Sequence, residues 1–232
     1  MIFRQLFEPT TSTYTYLLAS PTTREAVLID PVVEEVDRYV QLLDELGLKL
    51  RYTLETHVHA DHVTAASKLR ERLGSRSVVK RDAGASCTDV PVDHGDVVEV
   101  GDLRFEVRAT PGHTDGCVSY VMADRVFTGD TLLIGGCGRT DFQQGSSERL
   151  YDSVTRQLFT LPPDTLVYPG HDYKGRTVST IAEEKAMNAR LGGGKTLEQF
   201  VQIMADLKLA YPKQIDRALP ANLQCGREPV QA

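Results

Sequence analysis

Six histidines occur in the 232 residues, and five of them fall in three short segments that each follow a run of strand-forming side chains. The first segment is Thr56-His57-Val58-His59-Ala60-Asp61-His62, an H-x-H-x-D-H pattern at a strand-to-helix junction. In an extended turn His57 and His59 point the same way, and Asp61 and His62 come round as the next helix begins. Four donors therefore converge. Imidazole and carboxylate are the ligands that zinc, iron and manganese share, so these residue types predict a metal centre. A lone histidine on such a turn is ordinarily a solvated polar side chain. Four donors at this spacing argue against that reading.

Three more donors stand in similar places: His113 in Pro111-Gly112-His113-Thr114, Asp130 in Phe127-Thr128-Gly129-Asp130, and His171 in Tyr168-Pro169-Gly170-His171. Glycine beside each lets the backbone turn tightly, so that the next side chain can be aimed at a shared point. Asp130 alone would read as an ordinary turn aspartate. Its setting among the others makes it a ligand candidate. His94 stands apart.

The elements that must position these donors are legible in outline. Ile2 to Phe7, Thr13 to Leu18 and Ala26 to Ile29 read as strands of an N-terminal meander. Val33, Val36, Val40, Leu43 and Leu46 recur at helical spacing, with Gly47 placed as a C-cap. Leu50 to Thr56 predicts a strand, and Val63 to Leu73 a helix stopped by Gly74. Strict alternation over Leu103–Ala109 predicts a strand with one buried face. Further strands are expected at Val118 to Met122, Arg125 to Thr128 and Thr165 to Tyr168, with a helix from about Glu148 to Phe159 between the last two. Thr196-Leu197-Glu198-Gln199 has capping-box spacing and starts a helix through about Leu207. Pro212, Pro220 and Pro229 then punctuate an irregular tail. The expected organisation is one domain over residues 1–232, closed by this short C-terminal helix and tail (about 196–232).

Composition narrows the function classes. A net charge of −6 and a pI near 5.5 provide no basic field for nucleic acid or anionic lipid. No run of 18 apolar residues suggests a membrane span, and the N-terminal stretch lacks the pattern of an export signal or transit segment. Cys87, Cys117, Cys137 and Cys225 lie far apart with no C-x-x-C pair, which implies neither a disulfide framework nor a zinc ribbon; a reducing cytoplasm fits. Neither Cys137 nor Cys225 has an identifiable activating base, so a thiol nucleophile is not expected. Gly192-Gly193-Gly194-Lys195-Thr196 lacks the first glycine of a phosphate loop, since residue 189 is Ala189, and reads as a connection between helices.

His57-x-His59-x-Asp61-His62, His113, Asp130 and His171, in that order, resemble the metallo-β-lactamase superfamily. The resemblance implies an α/β fold, the αβ/βα four-layer sandwich, with a metal site at one edge of two packed sheets. The fold does not fix the reaction. Residues 131–145, with Cys137-Gly138-Arg139-Thr140-Asp141-Phe142-Gln143-Gln144-Gly145, resemble the persulfide dioxygenase family, the ETHE-type sulfur dioxygenases. So do Tyr168 to Gly175, Thr177-Val178-Ser179-Thr180, Gln214-Ile215-Asp216, Pro220-Ala221-Asn222 and Cys225-Gly226.

That second resemblance implies one Fe(II) per subunit held by His57, His113 and Asp130, a facial triad with open positions for sulfur and dioxygen. His59, Asp61, His62 and His171 would then orient ligands and bound water. The implied substrates are glutathione persulfide and O2, with sulfite and glutathione as products. Arg139 is the expected partner of a glutathione carboxylate and Tyr173 a hydroxyl donor beside the metal. Arg139 could instead pair with Asp141 or Asp172 to brace its loop. The resemblance further suggests a homodimer and leaves room for a sulfurtransferase partner. By ligands alone, two zincs fit as well, which keeps open a glyoxalase II-type hydrolase of glutathione thioesters. A closed structural metal ranks last, because such sites usually use cysteine.

Overall fold

The computed structural model describes residues 1–227, and its frame is a pair of six-stranded sheets. One holds β1 (Ile2–Glu8), β2 (Thr13–Ala19), β3 (Glu25–Ile29), β4 (Lys49–Leu54), β5 (Arg76–Lys80) and β6 (Val90–Val92), in that spatial order. The other holds β7 (Val97–Val100), β8 (Leu103–Ala109), β9 (Val118–Val121), β10 (Arg125–Gly129), β11 (Leu166–Pro169) and β12 (Ser179–Thr180), also as consecutive neighbours. The helices are α1 (Val36–Glu45), α2 (Ala66–Leu73), α3 (Ser147–Ser153), α4 (Ile181–Met187), α5 (Leu197–Ala205) and α6 (Ile215–Asn222).

The two-residue period of the strands explains the layers. In β2, Tyr14, Tyr16 and Leu18 join a core between the sheets, where they meet Leu103, Phe105 and Val107 of β8. Leu17 and Ala19, on the opposite face of β2, pack with Val36, Tyr39 and Leu43 of α1 and with Ala218 and Ala221 of α6. On the outer side of the second sheet, Val121, Val126 and Val167 meet Leu150 of α3, Ile181 of α4, and Phe200 and Met204 of α5. Three apolar layers between four structural ones make the αβ/βα sandwich.

Strand direction then gathers the functional loops. β8 and β10 each run antiparallel to β9, and β10 runs parallel to β11, so β8, β10 and β11 point the same way. Their carboxyl ends share an edge, and β3 and β4 are parallel in the facing sheet. His57 follows β4, His113 follows β8, Asp130 follows β10 and His171 follows β11.

Several local expectations are corrected. The helix expected from Val63 begins at Ala66, because the preceding backbone is bound elsewhere: Val33 N–H donates to Val63 O and Ala65 N–H to Pro31 O. The helix after Ser146, whose hydroxyl caps Arg149 N, widens into a π-helical turn over Val154–Leu158. The tail is irregular around Pro212 but not beyond it: α6 forms with Pro220 inside it, and burial of Ala218 and Ala221 outweighs the lost backbone donor. Pro229 lies outside the described residues. The cysteines are also not all unpaired: Cys87 and Cys225 form a disulfide across a separation of 138 residues. The segment after α6 returns to the β5–β6 connection, a proximity that spacing cannot reveal. Cys117 and Cys137 are free and buried. The capping box of Thr196 and Gln199 forms as expected, and residues 192–196 join α4 to α5.

Candidate metal centre

All five clustered histidines meet at the shared sheet edge. The His57 ring lies 4.0 Å from His59 and 4.9 Å from His113, and His59 lies 4.3 Å from His62. His113 Nε2 is 3.6 Å from Asp130 Oδ2, while His171 Nε2 stands 3.5 Å from both Asp130 Oδ1 and Asp61 Oδ2. His57, His113 and Asp130 can present three donor atoms within 4.8 Å of one another; His59, Asp61 and His62 can do the same.

Each imidazole has one nitrogen turned to a protein oxygen, which leaves the other for a ligand. His113 Nδ1 donates to Arg139 O at 2.6 Å, and His171 Nδ1 to Ser12 O at 3.3 Å. His62 Nδ1 donates to Asp61 Oδ2 at 2.8 Å, and His59 Nε2 to Asp30 Oδ1 at 3.1 Å. His57 is held through a relay. The Thr56 hydroxyl donates to Asp30 Oδ2 at 2.8 Å and therefore accepts from His57 Nδ1 at 3.0 Å. His57 Nε2, His59 Nδ1, His62 Nε2 and Asp130 Oδ1 are buried without a hydrogen-bond partner among the described residues. Buried polar atoms without partners are costly, and lone pairs converging in this way fit a cation.

The rings differ in the charge that their surroundings favour. Burial, followed by the neighbouring His59 and His113 rings, pushes His57 well below the usual imidazole pKa, so it offers a neutral donor. Burial also disfavours charge on His59, but Asp30 and Glu55 outweigh it and raise that pKa well above the usual value. His171 is raised in the same manner, with Asp130 and Asp61 overcoming burial. For Asp61, desolvation is overcome by His62 and His171, which hold the carboxyl well below its ordinary range.

Close backbone approach sets the ligand positions. A Cβ on Gly138 would lie 2.6 Å from Asp130 O and 2.8 Å from His113 Nδ1, and one on Gly170 would lie 2.8 Å from Asp130 Oδ1. Glycine is the residue that fits.

The two remaining candidates lie at the rim. Tyr173 is 74% exposed, its ring stacked parallel to His171 at 6.1 Å. The Arg139 guanidinium forms a bidentate pair with Asp141 at 2.6 and 2.7 Å, donates to Ala210 O at 2.7 Å and covers the Phe142 ring. It thus braces its loop, while its backbone carbonyl orients His113. Asp172 pairs with Arg176 instead.

Sequence reasoning missed Asp30 and Glu55 as partners of His59. Asp30 directly follows β3, the parallel neighbour of β4, and that adjacency is the signal that could have found it. His94 is exposed and stands apart, accepting from Ala109 N–H.

Comparison with known proteins agrees with this geometry. The family model described as the metallo-beta-lactamase superfamily matches residues 9–171. The chain is 52% identical to the human protein named persulfide dioxygenase ETHE1, mitochondrial, over 97% of this chain and 89% of that one. The crystal structure of ETHE1 from Myxococcus xanthus superposes with a TM-score of 0.96 at 60% identity, covering 98% of this chain and 100% of that one. A cytoplasmic hydroxyacylglutathione hydrolase of Arabidopsis thaliana is 32% identical over 90% of this chain and 82% of its own length. The chain belongs to the metallo-β-lactamase superfamily and, within it, to the ETHE1-type persulfide dioxygenases.

Proposed function

We propose that this protein oxidises glutathione persulfide with O2 and water to sulfite and glutathione, using one Fe(II) per subunit. The observation that carries the reading is the cluster of His57, His113 and Asp130, two imidazoles and one carboxylate, in a chain so similar over its length to persulfide dioxygenases. When bound there, iron supplies electron exchange with dioxygen and open positions for an anionic sulfur.

The chain's own groups do the rest. His113 is fixed by Arg139 O and His57 by the Thr56–Asp30 relay, so both rings present a lone pair without rearrangement. Asp61, held ionised beside His62 and His171, accepts a hydrogen bond from the water that releases sulfite and so helps to orient it. His59, His62 and His171 orient that water and the carboxylates around it. Tyr173 donates from its hydroxyl to bound substrate. Arg139 meets a glutathione carboxylate by exchanging it for Asp141.

The protein acts in this reading as one unit over residues 1–232, as a homodimer, with a sulfurtransferase as supplier of persulfide sulfur. No helix among the described residues is long and apolar enough to cross a membrane. We propose a cytoplasmic location, against which the Cys87–Cys225 disulfide counts; the mammalian relatives are named mitochondrial, and cell fractionation separates the two.

A dinuclear zinc thioesterase is the second reading, favoured by the donors that His59, Asp61 and His62 present together. The test is O2 uptake on adding glutathione persulfide to iron-loaded protein, beside S-lactoylglutathione hydrolysis by iron-loaded and zinc-loaded samples. Persulfide-dependent uptake with sulfite formed is expected. Thioester cleavage by the zinc form without any uptake would overturn the assignment.

A further inference from the structure

The backbone between β4 and α2 carries His57, His59, Asp61 and His62 without regular secondary structure, so its buried amides and carbonyls need partners from elsewhere. One distant side chain supplies three of them. Asn222, at the end of α6 and 5% exposed, donates from Nδ2 to His59 O and to His62 O, each at 2.8 Å. Its Oδ1 accepts from Thr64 N–H at 2.8 Å. Two carbonyls facing the nitrogen and one amide facing the oxygen fix the orientation of the carboxamide.

From this geometry we infer that Asn222 is a positioning residue for the metal centre: it sets the chord between His59 and His62, and so the placement of Asp61 between them. The inference rests on the reading that this loop surrounds a metal ion, but not on which metal or reaction. The requirement is chemical. Two N–H donors and one acceptor on a short stem are what a carboxamide offers; a carboxylate of the same shape would set negative oxygens against two carbonyls.

The residues after Asn222 hold it to its task. Ser67 N–H donates to Cys225 O at 2.9 Å, and Cys225 is tied to Cys87. Gly226, at φ +85, lies so close to Thr64 that a Cβ there would stand 2.1 Å from the Thr64 carbonyl oxygen. The tail therefore packs on the last residues of the ligand loop, and Asn222 reaches inward from it.

Asn222→Asp and Asn222→Gln are compared with Ile215→Ala, which removes a buried apolar side chain from the opposite end of the same helix. Co(II) serves as the probe, read by its visible ligand-field spectrum and its dissociation constant, with thermal midpoints measured on the same samples. The expected result is about 10–100-fold weaker Co(II) binding and an altered spectrum in Asn222→Asp. Asn222→Gln, which keeps the three groups, should recover part of the loss. Ile215→Ala should lower the midpoint with spectrum and affinity intact. Unaltered binding in both Asn222 variants, or losses that follow the midpoint equally in all three, would overturn the inference alone. Failure of the unsubstituted protein to bind Co(II) would overturn it together with the metal reading.

Discussion

His113 donates from Nδ1 to the carbonyl oxygen of Arg139 at 2.6 Å, so a ligand candidate on one loop is oriented by the backbone of another. The side chain of Arg139 is occupied elsewhere, with Asp141. The two functions of this residue are therefore separable. Arg139→Ala should keep metal binding and raise KM for glutathione persulfide, with kcat less affected. Loss of metal in that variant would show that the guanidinium serves only to brace the loop.

The same loop contains Gly138, where a Cβ would press on Asp130 O and His113 Nδ1. Backbone and ring must both move to admit even a methyl group. Gly138→Ala should weaken metal binding by about 10–100-fold, as displaced support of a ligand commonly does. Equilibrium dialysis against Co(II) measures it, and wild-type affinity would refute the proposed ligand roles of His113 and Asp130.

The Cys87–Cys225 disulfide closes a long loop, and constraint of the unfolded chain should stabilise the protein by about 2–5 kcal/mol. Cys225→Ser, and the reduced wild type, should unfold at lower denaturant with similar midpoints. An unchanged midpoint on reduction would mean that the bond is absent in solution. The free thiols give a contrast: burial pushes Cys117 up to about 12 and Cys137 up to about 11. Neither should be alkylated in the native state at neutral pH.

How much of this could be read from sequence varies with the physics involved. The metal-ligand candidates were legible because strand, turn glycine and donor recur in fixed order, and because β8 alternates without exception. The partners of the ligands were not. Asp30 is 29 residues from His59, and Asn222 160 residues from His62, so only strand order and helix docking bring them together. The α6 helix was hidden by Pro220, whose local cost is overridden by burial of Ala218 and Ala221.

Acid should act through Asp89. Desolvation raises its pKa, but Ser77 N–H at 2.8 Å and the ion pair with Arg70 more than offset this, and the net shift is downward. A carboxyl lowered in the folded state contributes stability that is present above the unfolded pKa, near 3.9, and is lost as pH falls through the folded value. Asp89→Asn should cost about 1–2 kcal/mol at pH 7. Denaturant titrations at intervals from pH 7 to pH 3 should show the gap to wild type closing below about pH 4. A gap independent of pH would remove the charge from the explanation.

Tyr173 supplies the last test, because its ring is stacked on His171 while most of the residue remains open to solvent. Desolvation at the hydroxyl, then the Asp130 and Asp61 carboxylates, raise its pKa above the ordinary tyrosine value. It therefore stays protonated through the working range and can donate but not act as a base. Tyr173→Phe keeps the ring and removes only that donor. Sulfite formation should fall in kcat/KM by about tenfold, roughly 1.4 kcal/mol, with metal content unchanged. Because the hydroxyl does not titrate there, the pH profile up to pH 9 should keep its wild-type shape. An unchanged kcat/KM would place Tyr173 outside the substrate site, whereas an altered alkaline limb would show that its proton moves.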